Sequence, residues 1–384
     1  MKKPRHVLVA LGWYDHRLLE GIAAYASEHR WHLSAHSVLH EREIPWGWEG
    51  DGVLAWLASG EDLAEFVLSV RRPTVDFSLR RPHLPFGHVV QDHRKTGGLV
   101  AEHLADRGVR RFLYYSDSEN WSQVERGAGY AERVQELGFG CEWLRWKGGD
   151  EAGPSAKTSW RRRRDWLLAA LRSTQKPVGI FAANGALAVE VHETCEGASI
   201  PVPDHVAIVG MDDHLQSVGA ASRLISGVDP NLEEQGYQGA AMLDRMMRSG
   251  RVPARPMRIA PRGVMARRSS DLLAVGHPGV ARALRVIGER LGEGIGVEDL
   301  ARAAGMSVRG LHEAFRESLG CSPGERLRRV RLEEAKRLLR STGEKLQSIA
   351  EQTGFANLNT FFVAFKKAEG MTPAEYRRTS SRGR

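Results

Sequence analysis

The stretch Ile349-Ala350-Glu351-Gln352-Thr353-Gly354-Phe355-Ala356-Asn357-Leu358-Asn359-Thr360-Phe361-Phe362-Val363-Ala364-Phe365-Lys366-Lys367 holds a short amphipathic segment, a glycine, and a second segment rich in phenylalanine. The same layout stands earlier in the chain. There the segment from Val297 to Ala304 ends at Gly305, which suits a helix stop followed by a tight turn. Ser307 is a good N-cap for the next helix, and Leu311 and Phe315, four residues apart, share its inner side. Phe315, Gly320, Pro323 and Glu325 reappear as Phe365, Gly370, Pro373 and Glu375, an offset of 50 residues. Ala301 and Gly305 reappear as Ala350 and Gly354 at an offset of 49, so the second unit carries one extra residue near the start of its second helix. An internal repeat is far more specific than a single match, and it reads as two helix-turn-helix units in tandem.

Between the units, Glu325–Leu339 reads as one helix with Leu327, Val330 and Leu338 along a largely apolar side, able to fix their spacing. Ahead of them, Val280, Leu284, Ile287 and Leu291 mark another amphipathic helix. The formal net charge of the 384 residues is +8, and it is unevenly spread. From Gly276 onward there are 20 Lys and Arg against 13 Asp and Glu, which leaves 35 against 34 in the rest. Such asymmetry points to a polyanion as partner of the last segment alone.

This segment resembles the AraC/XylS-type DNA-binding domain over approximately residues 280–378. The resemblance rests on Ile349-Ala350, Gly354-Phe355, Phe361, Phe365-Lys366-Lys367, Gly370, Thr372-Pro373 and Tyr376-Arg377. It implies a double-stranded DNA operator with repeated half-sites, read by both second helices in major-groove faces roughly 34 Å apart. Carried onto this chain, the first reader offers Arg309, His312 and Glu313 to base edges, and the second offers Asn357, Asn359, Thr360 and Val363. Arg316, Lys366 and Lys367 suit phosphates, which position the protein without specifying sequence. Gly310 leaves the first reader thin.

The first 270 or so residues alternate short apolar strands with amphipathic helices. Strands are predicted at His6–Gly12, Trp31–Val38, Gly52–Trp56, Thr74–Phe77, His88–Val90, Arg111–Tyr115, Cys141–Trp146, Val178–Ala182 and Val206–Val209, with a further one in the Ile225–Val228 region. Helices are predicted near Asp15–Glu28, Glu61–Val70, Thr96–Asp106, Val124–Glu136 and Ala186–Cys195. Continuous apolar runs suit buried parallel strands in a doubly wound α/β fold, and the strand count suits two lobes. Ligands of such sheets collect beyond the strand C-termini. Trp13, Tyr14, Asp15, Asp92, Asn184, Asp212, Asp213 and Asp229 stand there, and acids and amides beside indole rings suit a small neutral polyol. Each polar residue also has a structural alternative as a helix cap or turn former.

The segments Val206-Ala-Ile-Val-Gly-Met-Asp-Asp213, Asp92 with Gly97-Gly98, Arg126 with Gly129-Tyr130, and Phe181-Ala-Ala-Asn184 resemble LacI/GalR-type sugar sensors. The similarity spans approximately residues 5–268 and implies a two-lobed periplasmic-binding-protein-like (type I) fold. It also implies sugar contacts from Arg126, Asn184 and Asp212 on the second lobe and from Trp13, Tyr14 and Asp15 on the first. Chain crossings between lobes fall near Gly108, Ala220 and Met257 by the same token. The chain departs from those repressors in having no helix-turn-helix before the first strand.

The expected organisation is a sensor over residues 1–268, a linker over 269–279 and an all-α double helix-turn-helix domain over 280–384. This fusion resembles the bacterial xylose operon regulators. The resemblance implies D-xylose as ligand, a homodimer formed through the α/β half, activation of sugar-catabolic genes and, for an activator, contact with RNA polymerase. A constitutive or repressing DNA-binding protein whose α/β half serves mainly for dimerisation is the alternative.

Enzyme signatures are missing: there is no Gly-x-x-x-x-Gly-Lys-Ser/Thr loop, no His-Glu-x-x-His and no Gly-x-Ser-x-Gly, so no catalytic residue and no cofactor is expected. Cys141, Cys195 and Cys321 are too scattered for a zinc set or a disulfide framework, and no metal is expected. No run of 18 apolar residues reaches membrane-span length, and Val7–Leu11 is too short for a signal peptide. A cytoplasmic protein with no membrane partner is expected.

Overall fold

The buried apolar runs of the first 270 residues assemble into two six-stranded sheets. The structure is a computed structural model and describes residues 4–35, 44–58, 61–146, 156–211, 224–270 and 277–381. The first sheet takes β1 (His6–Leu11), β2 (His32–Ser34), β3 (Gly52–Trp56), β4 (Thr74–Asp76), β5 (Gly87–Gln91) and, from far along the chain, β11 (Met257–Ile259). Its order is β11-β5-β4-β3-β1-β2. The second takes β6 (Phe112–Ser116), β7 (Cys141–Arg145), β8 (Val178–Ala182), β9 (Val206–Met211), β10 (Ser226–Asp229) and β12 (Gly263–Met265), in the order β12-β10-β9-β8-β6-β7. Among the described residues every pairing is parallel except β10 with β12. Val7 to Ala10 and Val206 to Val209 are wholly buried, as strands covered on both faces must be.

The helices α1 (His16–Glu28), α2 (Asp62–Val70), α3 (His93–Asp106), α4 (Trp121–Glu136), α5 (Ala156–Ser173), α6 (Gly185–Gly197) and α7 (Leu232–Ser249) cover the sheets. α5, α7, β11 and β12 are additions to the expected elements. The strand expected over Trp31–Val38 covers only His32–Ser34 among the described residues. α3 starts three residues earlier than expected because Asp92 caps it, its carboxylate accepting from Lys95 N at 3.0 Å.

The first two crossings between lobes differ from the expected ones. The first is at Asp92, ahead of α3 and not at Gly108, because Val100, Ala101 and Leu104 of α3 pack into the core of the second lobe. Ala220 lies outside the described residues. The second crossing follows β10, since Leu232, Met242 and Leu243 of α7 join the core of the first lobe. The third falls between β11 and β12. Backbone bonds gather the three strands of chain: Asp92 N donates to Ile259 O at 2.8 Å, and Arg262 N donates to Asp229 O at 3.0 Å.

The segment expected as a linker is anchored at its start. Ser269 and Ser270 are buried, and the Ser269 hydroxyl accepts from Ser226 N at 2.9 Å and donates to Ile208 O at 2.6 Å. Residues 271–276 lie outside the described residues. Among the described residues seven α-helices follow: α8 (Pro278–Glu289), α9 (Val297–Ala304), α10 (Val308–Leu319), α11 (Pro323–Ser341), α12 (Leu346–Gln352), α13 (Leu358–Glu369) and α14 (Pro373–Ser381). They enclose two small cores. Helix α11 gives Leu327 to the first and Leu332, Ala335, Leu338 and Leu339 to the second, so one rod carries both units. The extra residue of the second unit sits in the turn before α13, leaving both second helices in step at the offset of 50. Among the described residues no helix is long and apolar enough to cross a membrane.

Candidate functional site

The C-terminal ends of β3, β4 and β5 face the head of α4 across the crossings and enclose a cavity of about 510 Å³. The first lobe lines it with Trp56, Phe77 and Gln91, the second with Asn120, Trp121 and Arg126, and His93 stands at the head of α3 between them. Aromatic faces and a few convergent polar groups form a surface on which a ring with hydroxyls can lie.

His93 is the electrostatic centre of the cavity wall. Burial, then the nearby charges of Arg126 and Arg258, hold its ring well below the ordinary histidine value of 6.5, so it is neutral at pH 7. Arg126 Nε donates to His93 Nδ1 at 3.1 Å, which assigns the ring proton to Nε2. The ring meets Trp121 edge-on at 4.8 Å. A second donor of Arg126, Nη1, reaches Ala183 O at 2.5 Å and ties α4 to the end of β8. Across the cleft, Arg258 of β11 pairs with Glu125 of α4 at 2.6 Å. Gln91 is 7% exposed, and its Oε1 finds no donor among the described residues. A buried acceptor left without a partner on a cavity wall is a place for a ligand hydroxyl.

Of the six sugar-contact residues expected from the sequence, Arg126 lines this cavity. Trp13 packs on Trp56 at 4.7 Å between ring centroids, one layer behind the lining. Tyr14 is half exposed. Asp15 is buried, caps α1 through Arg17 N at 2.9 Å, and pairs with the Arg17 guanidinium at 2.9 Å. Burial pushes the Asp15 carboxyl up, but its bonds and charge pairing with Arg17 outweigh that and hold it below the usual range. Asn184 caps α6, accepting from Leu187 N at 2.9 Å, beside the Ala183 carbonyl that receives Arg126. Asp212 and Asp213 lie outside the described residues. Trp56, Phe77, Gln91, His93 and Trp121 were not singled out from the sequence. The strand-end rule pointed beside two of them, at Asp92, whose carboxylate is consumed in capping α3.

The second set of residues lies on α10 and α13. Ser307 starts α10 by accepting from Gly310 N at 3.0 Å, and Gly305, at φ 65°, makes the left-handed turn before it. Leu311 and Phe315 are fully buried, and so are their counterparts Phe361 and Phe365. The opposite faces are therefore presented to solvent in register. Arg309 corresponds to Asn359, Glu313 to Val363 and Arg316 to Lys366, and all six are exposed. Arg309 Nε donates to Glu313 Oε1 at 3.0 Å, an ion pair in water that a better partner can displace. His312 is half-buried. Val363 is 63% exposed, an aliphatic side chain with no part in the core. Asn357 accepts from Thr360 N at 2.8 Å, and the Thr360 hydroxyl donates to Asn357 O at 2.8 Å, so this pair starts the helix. Lys367 stands exposed beside Lys366.

Residues 101–270 match the family described as a periplasmic binding protein-like domain, and residues 300–379 match that described as a helix-turn-helix domain. The chain is 27% identical over 379 residues to the xylose operon regulatory protein of Escherichia coli (strain K12), covering 96% of this chain and 95% of that protein. It is 25% identical over 382 residues to the protein of the same name from Haemophilus influenzae, covering 95% of each. Among solved structures, that of the xylose-binding transcription activator xylR superposes with a TM-score of 0.61 at 26% identity, over 98% of each chain.

Proposed function

We propose, for a chain that is a relative of the xylose operon regulatory proteins along nearly its whole length, that it is a sugar-responsive transcription regulator. A small neutral sugar binds between the lobes, and its binding controls how the paired helix-turn-helix units engage operator DNA. D-xylose is the sugar of first choice, in keeping with the names of its relatives. The regulator works in the cytoplasm as a homodimer joined through the α/β half, binds repeated half-sites, and activates sugar-catabolic genes through contact with RNA polymerase.

The observation that carries this reading is the combination, in one chain, of an aromatic cavity with an unsatisfied buried acceptor and two exposed helix faces in register. In the cavity, Gln91 Oε1 accepts a hydroxyl, the Nε2 proton of His93 and the Arg126 guanidinium donate, and Trp56 and Trp121 cover the apolar side of the ring. On DNA, Arg309 and Asn359 read base edges, Val363 meets a thymine methyl, and Arg316, Lys366 and Lys367 hold phosphates.

The test is a titration of duplexes that the protein itself selects from a random pool, with and without D-xylose, alongside calorimetry of D-xylose binding. A coupled regulator changes DNA affinity by about fivefold or more on saturation. Unchanged affinity together with unchanged mobility of the complex, across D-xylose, L-arabinose and D-ribose, would sink the reading.

A further inference from the structure

The two functional regions meet at the far end of α3. This helix begins in the sugar cavity with His93 and ends at Asp106, a span of 14 residues, or about 20 Å at roughly 1.5 Å per residue. It is locked to α4, which carries Trp121 and Arg126. A Cβ added at Gly97 would stand 2.2 Å from Arg126 O, and one at Gly129 would stand 2.1 Å from Arg94 O, so the backbones touch with no slack.

At its far end the pair grips the DNA-reading unit. Asp106 forms an ion pair with Arg329 of α11, the rod shared by both helix-turn-helix units. A carboxylate in the last turn of a helix faces the negative end of the helix dipole, which makes a cationic partner there more valuable. Four residues on, Arg110 is held by bonds to Ala105 O at 3.2 Å and Val109 O at 2.9 Å and by the face of Phe139 at 5.2 Å. Its Nη2 donates to Ser318 O at 2.5 Å. That carbonyl lies in the last turn of α10, where intrahelical donors run out, so a side chain of the sensor caps the first reading helix. One turn back along α3, His103 Nε2 lies 2.7 Å from the Ser270 hydroxyl, at the last described residue before the reading unit. A cavity of about 580 Å³ flanks these contacts, lined by Asp106, Arg110, Cys321 and Arg329 among others. Open space beside these contacts leaves the two units room to move relative to one another.

We infer that Asp106–Arg329 and Arg110–Ser318 form a two-point clamp that transmits cavity occupancy to the paired readers. The inference rests on the sugar-responsive reading above. A ligand engaging His93 and Arg126 loads the α3–α4 pair, and the load arrives at the clamp, which sets the orientation of α10 and α11.

The full chain is compared with Asp106→Arg, Arg329→Asp, the double exchange and Arg110→Gln, each titrated with selected operator DNA with and without D-xylose. All should bind D-xylose as the unaltered protein does. The single variants should bind DNA equally well with and without the sugar, within about twofold, while the double exchange restores most of the response. Single variants that keep the full sugar response overturn the clamp, and so does a double exchange that stays uncoupled while D-xylose still binds. If a charge reversal fails to fold, Arg110→Gln, which removes the other point, decides in the same way. An unaltered protein whose DNA binding ignores sugar overturns the regulatory reading itself, and the clamp with it.

Discussion

Gln91 and His93 flank Asp92, and the three divide between scaffold and site in a way that sequence patterning does not reveal. All three stand at a strand end, but the Asp92 carboxylate is bound by the backbone of α3 while its neighbours line the cavity. The same holds for Asp15 and Asn184, which prove to be helix caps. An acid at a strand end satisfies helix donors as readily as it meets a ligand, and only the direction of the side chain separates the two. Gln91→Leu should weaken D-xylose binding by about 1–3 kcal/mol, since a ligand hydroxyl loses its acceptor. The ligand-free protein should melt no earlier, because the variant also removes an unsatisfied buried oxygen; calorimetry and thermal unfolding read the two effects separately. His93 gives a pH dependence. In the unfolded chain the ring takes a proton below about pH 6.5, whereas in the fold burial and the neighbouring arginines oppose it. Stability is therefore intact above that pH and falls as pH drops, by about 1.4 kcal/mol per pH unit from this group. Urea unfolding at pH 7.5 and 5.5 should show a shallower loss in His93→Gln than in the unaltered protein.

Among elements, the reading helices were the most legible. Their repeat fixes the inner residues first, and once Leu311, Phe315, Phe361 and Phe365 are buried the outer face follows from helical geometry. The extra residue fell in the turn, because the core needs both helices in step and a turn can absorb a residue where a packed helix cannot. α5 and α7 were missed for different reasons. The run Trp160-Arg-Arg-Arg-Arg164 hides the apolar side of α5, and in α7 the apolar stripe is broken between Leu232 and Met242 by Gly236, which lies against the Leu18 carbonyl of α1, and Gly239, which lies against the Phe77 ring. On α13, Asn359→Ala should cost about 1–3 kcal/mol of discrimination at one base position. Lys366→Ala should weaken all duplexes alike and lower the slope of log affinity against log salt by about 1. Fluorescence anisotropy on matched and scrambled duplexes at several salt concentrations distinguishes the two. On the sensor side, Gly97→Ala drives a methyl into the Arg126 carbonyl of α4. Forcing those backbones apart should cost about 1–3 kcal/mol in unfolding free energy.

At the scale of the whole molecule, alternating strands and helices announced two lobes, but they did not announce which lobe a crossing helix joins. That depends on tertiary packing: α3 follows a strand of the first sheet, yet its apolar side enters the core of the second lobe. The three crossings are stitched together by backbone bonds, so a ligand between the lobes meets a hinge of only a few residues. Binding there should stabilise the folded sensor by about 2.7 kcal/mol at a sugar concentration one hundred times Kd. Thermal unfolding of the full chain in rising D-xylose checks this, and at the same sugar concentration the increment in Gln91→Leu should shrink to between about 0.3 and 1.8 kcal/mol.

The two readers also differ in what they present: an arginine and a glutamate on α10, an asparagine and a valine at the same places on α13. A protomer seated on DNA thus has a front and a back, and a half-site inverted in place would seat it facing the other way. The molecule is in this sense a pointer as well as a sensor. If it recruits RNA polymerase as proposed, the polymerase would be delivered upstream or downstream according to the direction in which the half-site is written.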